Sequence, residues 1–483
     1  MKKFEIADLA WIIKAHEPRA TSHVSFSGVS IDSRTIKSGD CFFAIAGDNF
    51  DGHNYVTEAF AKGAVCAVVS RDVDSGRRRS KAMATERGNC LLRVSDTVKA
   101  LGDFAAEYRR RMNFKVVAIT GSVGKTMTRQ ITYHVLSRRF RVTTAPKNFN
   151  NNIGLPLTLL RADPQDEIVV AELGSNHPGE IAQLTRIAQP DVALVTNVYP
   201  AHLEGFGDLQ TIAGEKLSIS EGLRTGGVFL INGDCDKLLE TCRDKGIKFI
   251  SFGKSDRCDI QARNITHIGS GCRFTVEGRE IFLPLLGVGN VENALAAWAV
   301  CSRFGIGIDD FAEAAKTLQP LAMRAELLQI GELTVLSDCY NANPASMKNA
   351  LDILARLGSD KKGRPVFICG DMAELGAQSE RFHTELGGLI AKAKVQLLLA
   401  VGKFAKVAAD AARKHADYDL QIECFEDVSE VCNSLQKFIK NSDIILVKGS
   451  RAAKLEDIVE KLNEIFGKRI EKSPTLHSFG DGA

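Results

Sequence analysis

The sequence feature that most constrains the fold is an apolar, β-branched run that ends in a glycine-rich turn and continues as a helical pattern. Lys115–Thr120 (KVVAIT) is long enough for one buried parallel strand. The turn Gly121–Thr126 (GSVGKT) follows, and the helical pattern begins at Met127. Glycines let successive backbone N–H groups point at one phosphate, and the start of the helix adds its positive end. The sequence therefore predicts an α/β fold whose βα turn binds a phosphate group.

Within this turn, each residue type has a chemical role. Lys125 would neutralise phosphate charge, and the hydroxyl of Thr126 would hold Mg²⁺. The pattern G-x-x-G-K-T is a shortened phosphate loop, because Ile119 stands where the longer form has a leading glycine. The predicted nucleotide-binding residues of this segment are Gly121, Ser122, Val123, Gly124, Lys125, Thr126 and Met127.

Two further residues follow later strands of the same predicted sheet. A phosphate loop needs an acid on a neighbouring strand to help hold the metal ion, and Glu172 follows the apolar run Ile168–Ala171. The alternative is a strand-ending carboxylate that faces solvent. His202 follows the run Val192–Thr196, on the carboxyl edge where ligands of open α/β sheets bind. Its alternative is an ordinary surface histidine.

Strand and helix patterns alternate along the whole chain, which predicts three α/β domains. They are a small N-terminal domain (residues 1–95), a central domain with a parallel sheet (96–318) and a C-terminal, Rossmann-like domain (319–483). Residues 71–90 carry many charges without periodicity. We expect a solvated loop there rather than a basic patch for nucleic acid.

Composition narrows the class of protein. Against 59 Asp and Glu residues there are 62 Lys and Arg residues, and the net charge of +3 argues against a dedicated nucleic-acid-binding protein. Twelve cysteines without a C-x-x-C pair or zinc-ligand spacing are typical of reduced thiols in the cytoplasm. The chain has no signal peptide pattern and no run of about 18 apolar residues for a membrane span. We expect a cytoplasmic protein and, without a long exposed apolar patch, a monomer.

Several motifs, taken in order, resemble the Mur ligase family, the cytoplasmic enzymes that build the peptide of bacterial cell wall precursors. After the G-x-x-G-K-T loop come residues 147–156 (KNFNNNIGLP), the Glu172 strand, Thr196-Asn197 and residues 201–204 (AHLE). The resemblance spans nearly the whole chain. It implies ATP-driven amide formation through an acyl phosphate, with Mg²⁺ as the metal ion.

Within this family, the chain is most similar to the ligases that join D-alanyl-D-alanine to UDP-N-acetylmuramoyl-tripeptide. Residues 338–344 (DCYNANP) and 370–376 (GDMAELG) carry that similarity, and the D-N-P-R motif of the ligase adding the third amino acid is missing. Two alternatives stay open. One is a sister ligase, either for the third amino acid or for folate polyglutamate. The other is a P-loop phosphotransferase or a non-catalytic nucleotide-binding protein.

The resemblance also assigns roles to individual residues. Lys216 matches a lysine that is carbamylated in the family, although from the residues alone it is a surface lysine of a helix. Gly289 replaces the histidine of the family's adenine-side motif. The implied residues for ATP are Asn290, Asn293, Arg324 and Asp338; those for metal are Thr126, Glu172 and His202; those for catalysis are Lys125, Glu172, His202 and Lys216. The implied residues for the uridine nucleotide of the substrate are Ser33, Arg34, Phe43, Asp51 and His53, and Asn148 and Asn150 are further implied substrate-binding residues.

A last pair of candidates comes from a loop in the C-terminal third. Asn343 before Pro344 is the usual start of a helix, with Asn as the N-cap and Pro at the first helical position. Tyr340 and Asn341 precede this cap on an exposed loop. We therefore expect Tyr340 and Asn341 to contact the dipeptide substrate.

Overall fold

The computed structural model describes residues 1–16, 24–73, 90–146, 148–361 and 363–467. These residues form two compact units, Met1–Gln319 and Pro320–Ala483, which are described separately. The division falls one residue after the predicted boundary at Leu318. The predicted boundary at residue 95 does not separate units here, so the three-domain division stays a prediction. Most of the predicted loop 71–90, and Lys147 of the 147–156 motif, lie outside the described residues.

The first part of unit 1 contains a small parallel sheet, in agreement with the predicted α/β class. Its strands β3 to β6 run in sequence order and are all parallel, while β1 and β2 form a separate antiparallel pair. The apolar side chains Phe42, Val56 and Ala67 lie in its core. The elements are β1 (Phe4–Glu5), α1 (Ile6–Ile12), β2 (Ser25–Phe26), β3 (Gly28–Ser30), β4 (Asp40–Phe43), α2 (Val56–Ala61), β5 (Cys66–Val69) and β6 (Cys90–Arg93).

The helix α3 (Thr97–Arg111) begins the second part of unit 1. The side chain of Asp96 caps its first turn by accepting hydrogen bonds from the N–H groups of Val98 and Lys99. Three arginines, 109–111, occupy the last turn, where positive charge is favoured by the helix dipole. The cap explains where the helix starts, and the arginines stabilise its last turn.

The second part of unit 1 contains a seven-stranded, fully parallel sheet in the order β13-β12-β11-β10-β7-β9-β8. A three-stranded antiparallel sheet, β14-β15-β16, follows it. The strands are β7 (Lys115–Thr120), β8 (Val142–Thr144), β9 (Ile168–Glu172), β10 (Val192–Val195), β11 (Val228–Asn232), β12 (Ile250–Gly253), β13 (Ile260–Gln261), β14 (Arg263–Ile268), β15 (Gly271–Val276) and β16 (Arg279–Leu283). The helices are α4 (Lys125–Leu136), α5 (Gly154–Arg161), α6 (Glu180–Ala188), α7 (Leu203–Phe206), α8 (Leu209–Leu217), α9 (Asp236–Asp244), α10 (Val288–Cys301) and α11 (Ile308–Ala315).

Unit 2 is a six-stranded sheet in the order β17-β18-β22-β19-β20-β21, in which only β17 runs antiparallel to its neighbour. Its four inner strands, β18, β22, β19 and β20, are fully buried and mostly apolar, as parallel strands covered by helices require. The strands are β17 (Glu326–Ile330), β18 (Leu333–Ser337), β19 (Pro365–Gly370), β20 (Leu397–Val401), β21 (Gln421–Phe425) and β22 (Ile444–Lys448). The helices are α12 (Pro344–Lys361), α13 (Ser379–Lys392), α14 (Lys403–His415), α15 (Val428–Phe438) and α16 (Glu456–Phe466). The predicted α/β class with parallel sheets is confirmed.

The described residues contain no helix that is both long and apolar enough to span a bilayer. All twelve cysteines are free thiols.

Candidate active site

The predicted phosphate loop connects the end of β7 to the start of α4. Gly121 and Gly124 adopt φ angles of 142° and 87°, which side chains of L-residues rarely allow. A Cβ atom at Gly121 would lie 2.0 Å from Oγ1 of Thr196, and one at Gly124 would lie 2.1 Å from Oδ1 of Asn293. Both glycines are therefore required by backbone conformation and by space. The loop ends directly at the N-terminus of α4, where a phosphate is favoured.

The loop that follows β10 holds the phosphate loop in place. The side chain of Asn197 accepts a hydrogen bond from Val123 N (2.9 Å) and donates one to Val123 O (3.0 Å). The hydroxyl of Thr196 also donates to Val123 O (2.6 Å). The side chain of Lys125 donates to the carbonyl of Gly121 (2.7 Å). These contacts make the loop a rigid element before any ligand binds.

Glu172 lies beside the phosphate loop because β9 pairs with β7 in a register that sets it next to Ile119. Its side chain is buried, so the alternative of a solvent-facing carboxylate is wrong. One oxygen, Oε1, accepts a hydrogen bond from Asn150 (3.0 Å). The other, Oε2, accepts no hydrogen bond from the described residues and lies 3.6 Å from Nε of Arg129. The carboxylate is thus oriented, with one oxygen left for a further ligand.

Lys216 lies in α8 and is only 2% exposed, so its interpretation as a surface lysine is wrong. Its Nζ atom donates to the hydroxyl of Ser175 (2.7 Å) and lies 5.4 Å from the centre of the Phe206 ring. Burial, helped by the positive charge of Lys125, lowers the pKa of Lys216 from 10.5 to about 7. At neutral pH a large fraction of this amine is therefore unprotonated, which carbamylation requires.

His202 is the residue before the short helix α7 and adopts a left-handed conformation, with φ of 53°. The residue is half-buried and its Nδ1 atom is inaccessible to solvent, so it is not an ordinary surface histidine. It lies in the loop region after β10, at the same edge of the sheet as the phosphate loop.

The first residues of α10 contact the phosphate loop from the other side. Nδ2 of Asn293 donates to Oδ1 of Asn290 (3.1 Å), and Oδ1 of Asn293 accepts from the hydroxyl of Thr128 in α4 (3.4 Å). Asn290 is buried and donates to the carbonyl of Leu286 (2.8 Å). Because Gly124 has no side chain, Asn293 can approach this closely. The two predicted adenine-side residues therefore adjoin the loop that binds the phosphates.

The predicted residues of the N-terminal sheet differ in their access to a ligand. Arg34 is exposed, and its guanidinium group holds the pKa of Asp32 down at about 2 through a hydrogen bond. Ser33 is buried in the same turn. Asn148 begins the described part of the next motif and stays a prediction.

Two predicted substrate residues of this sheet lie inside the protein. Phe43 is fully buried in β4. The ring of His53 is buried, its Nδ1 lies 2.6 Å from Asp51, and its Nε2 accepts from the backbone of Ser70 (2.9 Å). Both nitrogens of His53 thus serve to hold the turn. The substrate-binding roles of Phe43 and His53 stay predictions. Asp51 also pairs with Arg71, which lowers the pKa of its carboxyl group.

In unit 2, the predicted residues meet at the carboxyl end of β18. The guanidinium carbon of Arg324 lies 4.0 Å from the centre of the Tyr340 ring. Asp338 accepts a hydrogen bond from the backbone of Ala325 (3.0 Å) and forms an ion pair with Lys448 (2.7 Å). Lys448 also donates to the carbonyl of Asn341 (2.9 Å). Arg324, Asp338, Tyr340 and Asn341 therefore belong to one cluster.

The helix cap predicted at Asn343 is present. Its side chain accepts from the N–H of Ser346 (2.9 Å), and Ser346 accepts in return from the N–H of Asn343 (3.0 Å). This reciprocal pair fixes the end of the Tyr340–Asn341 loop.

Sequence reasoning missed several contributors to the site. Arg129, which adjoins Glu172, could have been found because it is four residues after Lys125 and shares a face of α4. Lys448, the last residue of β22, was not among the predicted site residues. The contact of Ser175 with Lys216 and that of Asn150 with Glu172 have no sequence signal of their own. Both contacts depend on which segments the fold brings together.

Three models of protein families match consecutive parts of the chain. "Mur ligase family, catalytic domain" matches residues 25–109, "Mur ligase middle domain" matches 119–301, and "Mur ligase, glutamate ligase domain" matches 323–451. Among curated relatives, the UDP-N-acetylmuramoyl-tripeptide--D-alanyl-D-alanine ligase of Bacillus subtilis is 34% identical over 443 residues, covering 90% of this chain and 93% of its own. The chain belongs to the Mur ligase family. The resemblance of the motifs to this family is confirmed.

Solved structures of Mur ligases agree with this membership. MurF from Acinetobacter baumannii has a TM-score of 0.85 at 30% identity, with 96% of this chain and 99% of that chain covered. MurF from Thermotoga maritima, solved in complex with ADP, has a TM-score of 0.77 at 27% identity, with coverage of 90% and 97%. As a Mur ligase, the chain is an ATP-using enzyme that forms carbon–nitrogen bonds.

Proposed function

We propose that this Mur ligase joins D-alanyl-D-alanine to UDP-N-acetylmuramoyl-tripeptide at the expense of ATP, giving the UDP-muramoyl-pentapeptide of peptidoglycan synthesis. The observation that carries the proposal is the rigid phosphate loop with buried Glu172 beside it. The names of relatives indicate the substrates, since the relatives from Bacillus subtilis and Escherichia coli are both named UDP-N-acetylmuramoyl-tripeptide--D-alanyl-D-alanine ligase. We also propose that the protein acts in the cytoplasm as a monomer.

The reaction brings two anions together, because the carboxylate of the tripeptide must attack the γ-phosphate of ATP. Positive charge in a water-poor site lowers the cost of that approach. Lys125 supplies it from the phosphate loop, and the N–H groups of the loop and of α4 add to it. The attack gives an acyl phosphate and ADP. The amine of D-alanyl-D-alanine then displaces phosphate and forms the amide.

The residues present fit a magnesium ion. Mg²⁺ prefers oxygen ligands, and proteins commonly hold it with one or two side chains together with substrate phosphates. Oε2 of Glu172 lacks a hydrogen-bond partner among the described residues, and the Thr126 hydroxyl is on the first turn of α4. These two residues would hold a first ion, and His202 would be near a second. Such an ion, when bound, would neutralise phosphate charge during the transfer.

Lys216 is proposed as the carbamylated lysine. A carbamate would replace a buried cation by an anion, which suits a site that collects metal ions. The buried position and the lowered pKa of Lys216 support this role.

The test is release of phosphate and formation of the amide by the full chain. We expect both products only when UDP-muramoyl-tripeptide and D-alanyl-D-alanine are present with ATP and Mg²⁺. The variant Lys125→Ala should lower the rate at least about 100-fold, by analogy with the loss of one oxyanion-stabilising donor. Lys115→Ala is the matched control, because Lys115 is an exposed lysine at the other end of β7.

Other outcomes would identify the alternatives. Phosphate release with a single free amino acid would indicate a sister ligase. A phosphorylated product without an amide would indicate a phosphotransferase, and full activity of Lys125→Ala would refute the proposed role of the loop.

A further inference from the structure

The loop that follows β22 carries a cation whose place in the reaction is unassigned. Residues 448–451 (KGSR) end the strand and lead towards α16. Arg451 lies near the ring of Tyr340, with its guanidinium carbon 5.9 Å from the ring centre, while Arg324 lies 4.0 Å from the same centre. Tyr340 is thus flanked by two arginines at the carboxyl edge of the sheet in unit 2.

Lys448 of this loop is not available to a ligand. It is 1% exposed and forms the ion pair with Asp338, and it donates to the carbonyls of Asp338 (3.2 Å) and Asn341 (2.9 Å). Its charge is balanced and its donors are used. Lys448 therefore fixes the backbone that presents Tyr340 and Asn341, rather than binding a substrate itself.

Arg451 is oriented but open to solvent. Its side chain is 53% exposed, and its Nη1 forms an ion pair with Oε1 of Glu456 (2.7 Å). Nη1 also approaches the sulfur of Met323 (3.9 Å). A guanidinium group has five N–H donors in a rigid fork, so one ion pair and one aromatic neighbour set its direction without using all of them.

The terminal carboxylate of the incoming dipeptide is a group that a guanidinium group can bind. The amine of D-alanyl-D-alanine reacts, whereas its terminal carboxylate is unchanged by the reaction and must be recognised for the dipeptide to be placed. Arginine binds a carboxylate through two parallel, charge-assisted hydrogen bonds, which fixes orientation as well as position. We propose that Arg451 binds the terminal carboxylate of the dipeptide and so selects a substrate with a free C-terminus. This inference rests on the proposed function.

A purely structural role for Arg451 is the competing explanation, since its ion pair with Glu456 joins the loop to the start of α16. The two roles separate when the substrate is changed together with the protein. D-Alanyl-D-alaninamide has the same reacting amine as D-alanyl-D-alanine and lacks only the carboxylate charge. A residue that binds the carboxylate discriminates between the two, whereas a residue that only supports the loop affects both equally.

The experiment measures kcat/KM for the dipeptide and for its amide with saturating ATP and UDP-muramoyl-tripeptide. We expect the kcat/KM of the unaltered enzyme to be about 100-fold higher for the dipeptide than for its amide, because the amide cannot form the charge-assisted bidentate contact. Arg451→Gln should lose most of this preference, because its kcat/KM should fall for the dipeptide and stay the same for the amide. The KM for ATP should be unchanged. Arg451→Lys, which keeps the charge and loses the fork, should lie between the two.

Arg381→Gln is the matched control. Arg381 is also an exposed arginine of unit 2 that pairs with a glutamate (Glu385, 2.9 Å) and lies near an aromatic ring (Phe382, 5.3 Å). It should keep the full preference. The inference is overturned if Arg451→Gln retains the preference, or if it lowers kcat/KM for dipeptide and amide by the same factor. Failure of the unaltered enzyme to make any amide product would instead refute the proposed function.

Discussion

The amine of Lys216 donates a hydrogen bond of 2.7 Å to the hydroxyl of Ser175, and both side chains are buried. Ser175 belongs to the segment after β9, while Lys216 lies in α8. The neighbouring Glu215 strengthens the same junction, because its carboxylate accepts from the backbone N–H groups of Gly179 (2.7 Å) and Ile181 (2.8 Å) at the start of α6. A buried lysine is therefore held at one position by two independent anchors.

The first prediction concerns stability and pH. Lys216 has a pKa of about 7 in the folded protein against 10.5 when unfolded, so the unfolded chain binds more protons between these values. Burial of Lys216 thus destabilises the fold most below pH 7, and this cost disappears as the pH rises towards 10. In buffer free of carbon dioxide, where Lys216 keeps its unmodified amine, Lys216→Met should be more stable than the unaltered protein at pH 6, by a margin that shrinks at pH 9. Urea denaturation midpoints at the two pH values measure this.

The control for this prediction is Lys245→Met, because Lys245 is an exposed lysine just after α9. Its effect on the midpoint should not depend on pH in this window. A constant difference between Lys216→Met and the unaltered protein across the same range would contradict the lowered pKa.

The second prediction concerns the metal ion. Glu172→Gln keeps an acceptor for Asn150 but removes the charge that would hold Mg²⁺ and that faces Arg129. We expect the Mg²⁺ concentration for half-maximal rate to rise about 10-fold to 100-fold, together with a lower maximal rate. Initial rates over a Mg²⁺ series measure both. Glu167→Gln, an exposed acid just before the same strand, should leave the series unchanged. An unchanged Mg²⁺ requirement in Glu172→Gln would remove Glu172 from the metal site.

The third prediction concerns the UDP-muramoyl substrate. Arg34 is exposed, and its Nε and Nη2 atoms donate hydrogen bonds to the carboxylate of Asp32, so its guanidinium group is oriented at the surface of the N-terminal sheet. Arg34→Ala should raise the KM for the UDP-substrate about 10-fold, the value of one charge-assisted contact, and leave the KM for ATP unchanged. Lys62→Ala, which also breaks an exposed ion pair, should change neither. Equal KM values for Arg34→Ala and the unaltered enzyme would exclude this contact.

Much of the fold could be predicted because the strands are continuous apolar runs with clear ends. Lys115–Thr120 has the predicted bounds, since a buried parallel strand is apolar on both faces and stops at a glycine or a polar residue. The antiparallel strands β14 to β16 were not predicted. The residues of β14 are mostly exposed, so β14 lacks the apolar run by which the parallel strands were recognised.

The candidate site was predictable where a motif dictates backbone shape, as at Gly121 and Gly124. It was not predictable where burial depends on a distant part of the chain. Lys216 looks like a surface lysine because helical periodicity does not reveal that Ser175 and Phe206 cover it. The hydrogen bond between His53 and the backbone of Ser70 could not be predicted for the same reason, since the two residues are 17 positions apart.

The fourth prediction compares the two ion pairs of β22. At its carboxyl end, Lys448 pairs with Asp338 (2.7 Å), and just before its amino end Asp443 pairs with Arg364 (2.7 Å). Breaking either pair leaves a partly or fully buried charge without its partner, so Lys448→Met and Arg364→Met should each destabilise the fold, by about 3 kcal/mol. Only Lys448→Met releases the backbone at Asn341, and we expect it alone to raise the KM for D-alanyl-D-alanine, by about 10-fold or more. The KM for D-alanyl-D-alanine is measured by steady-state kinetics below the unfolding temperature of both variants. Equal KM values in the two variants would show that Lys448 stabilises the fold and does not position the dipeptide.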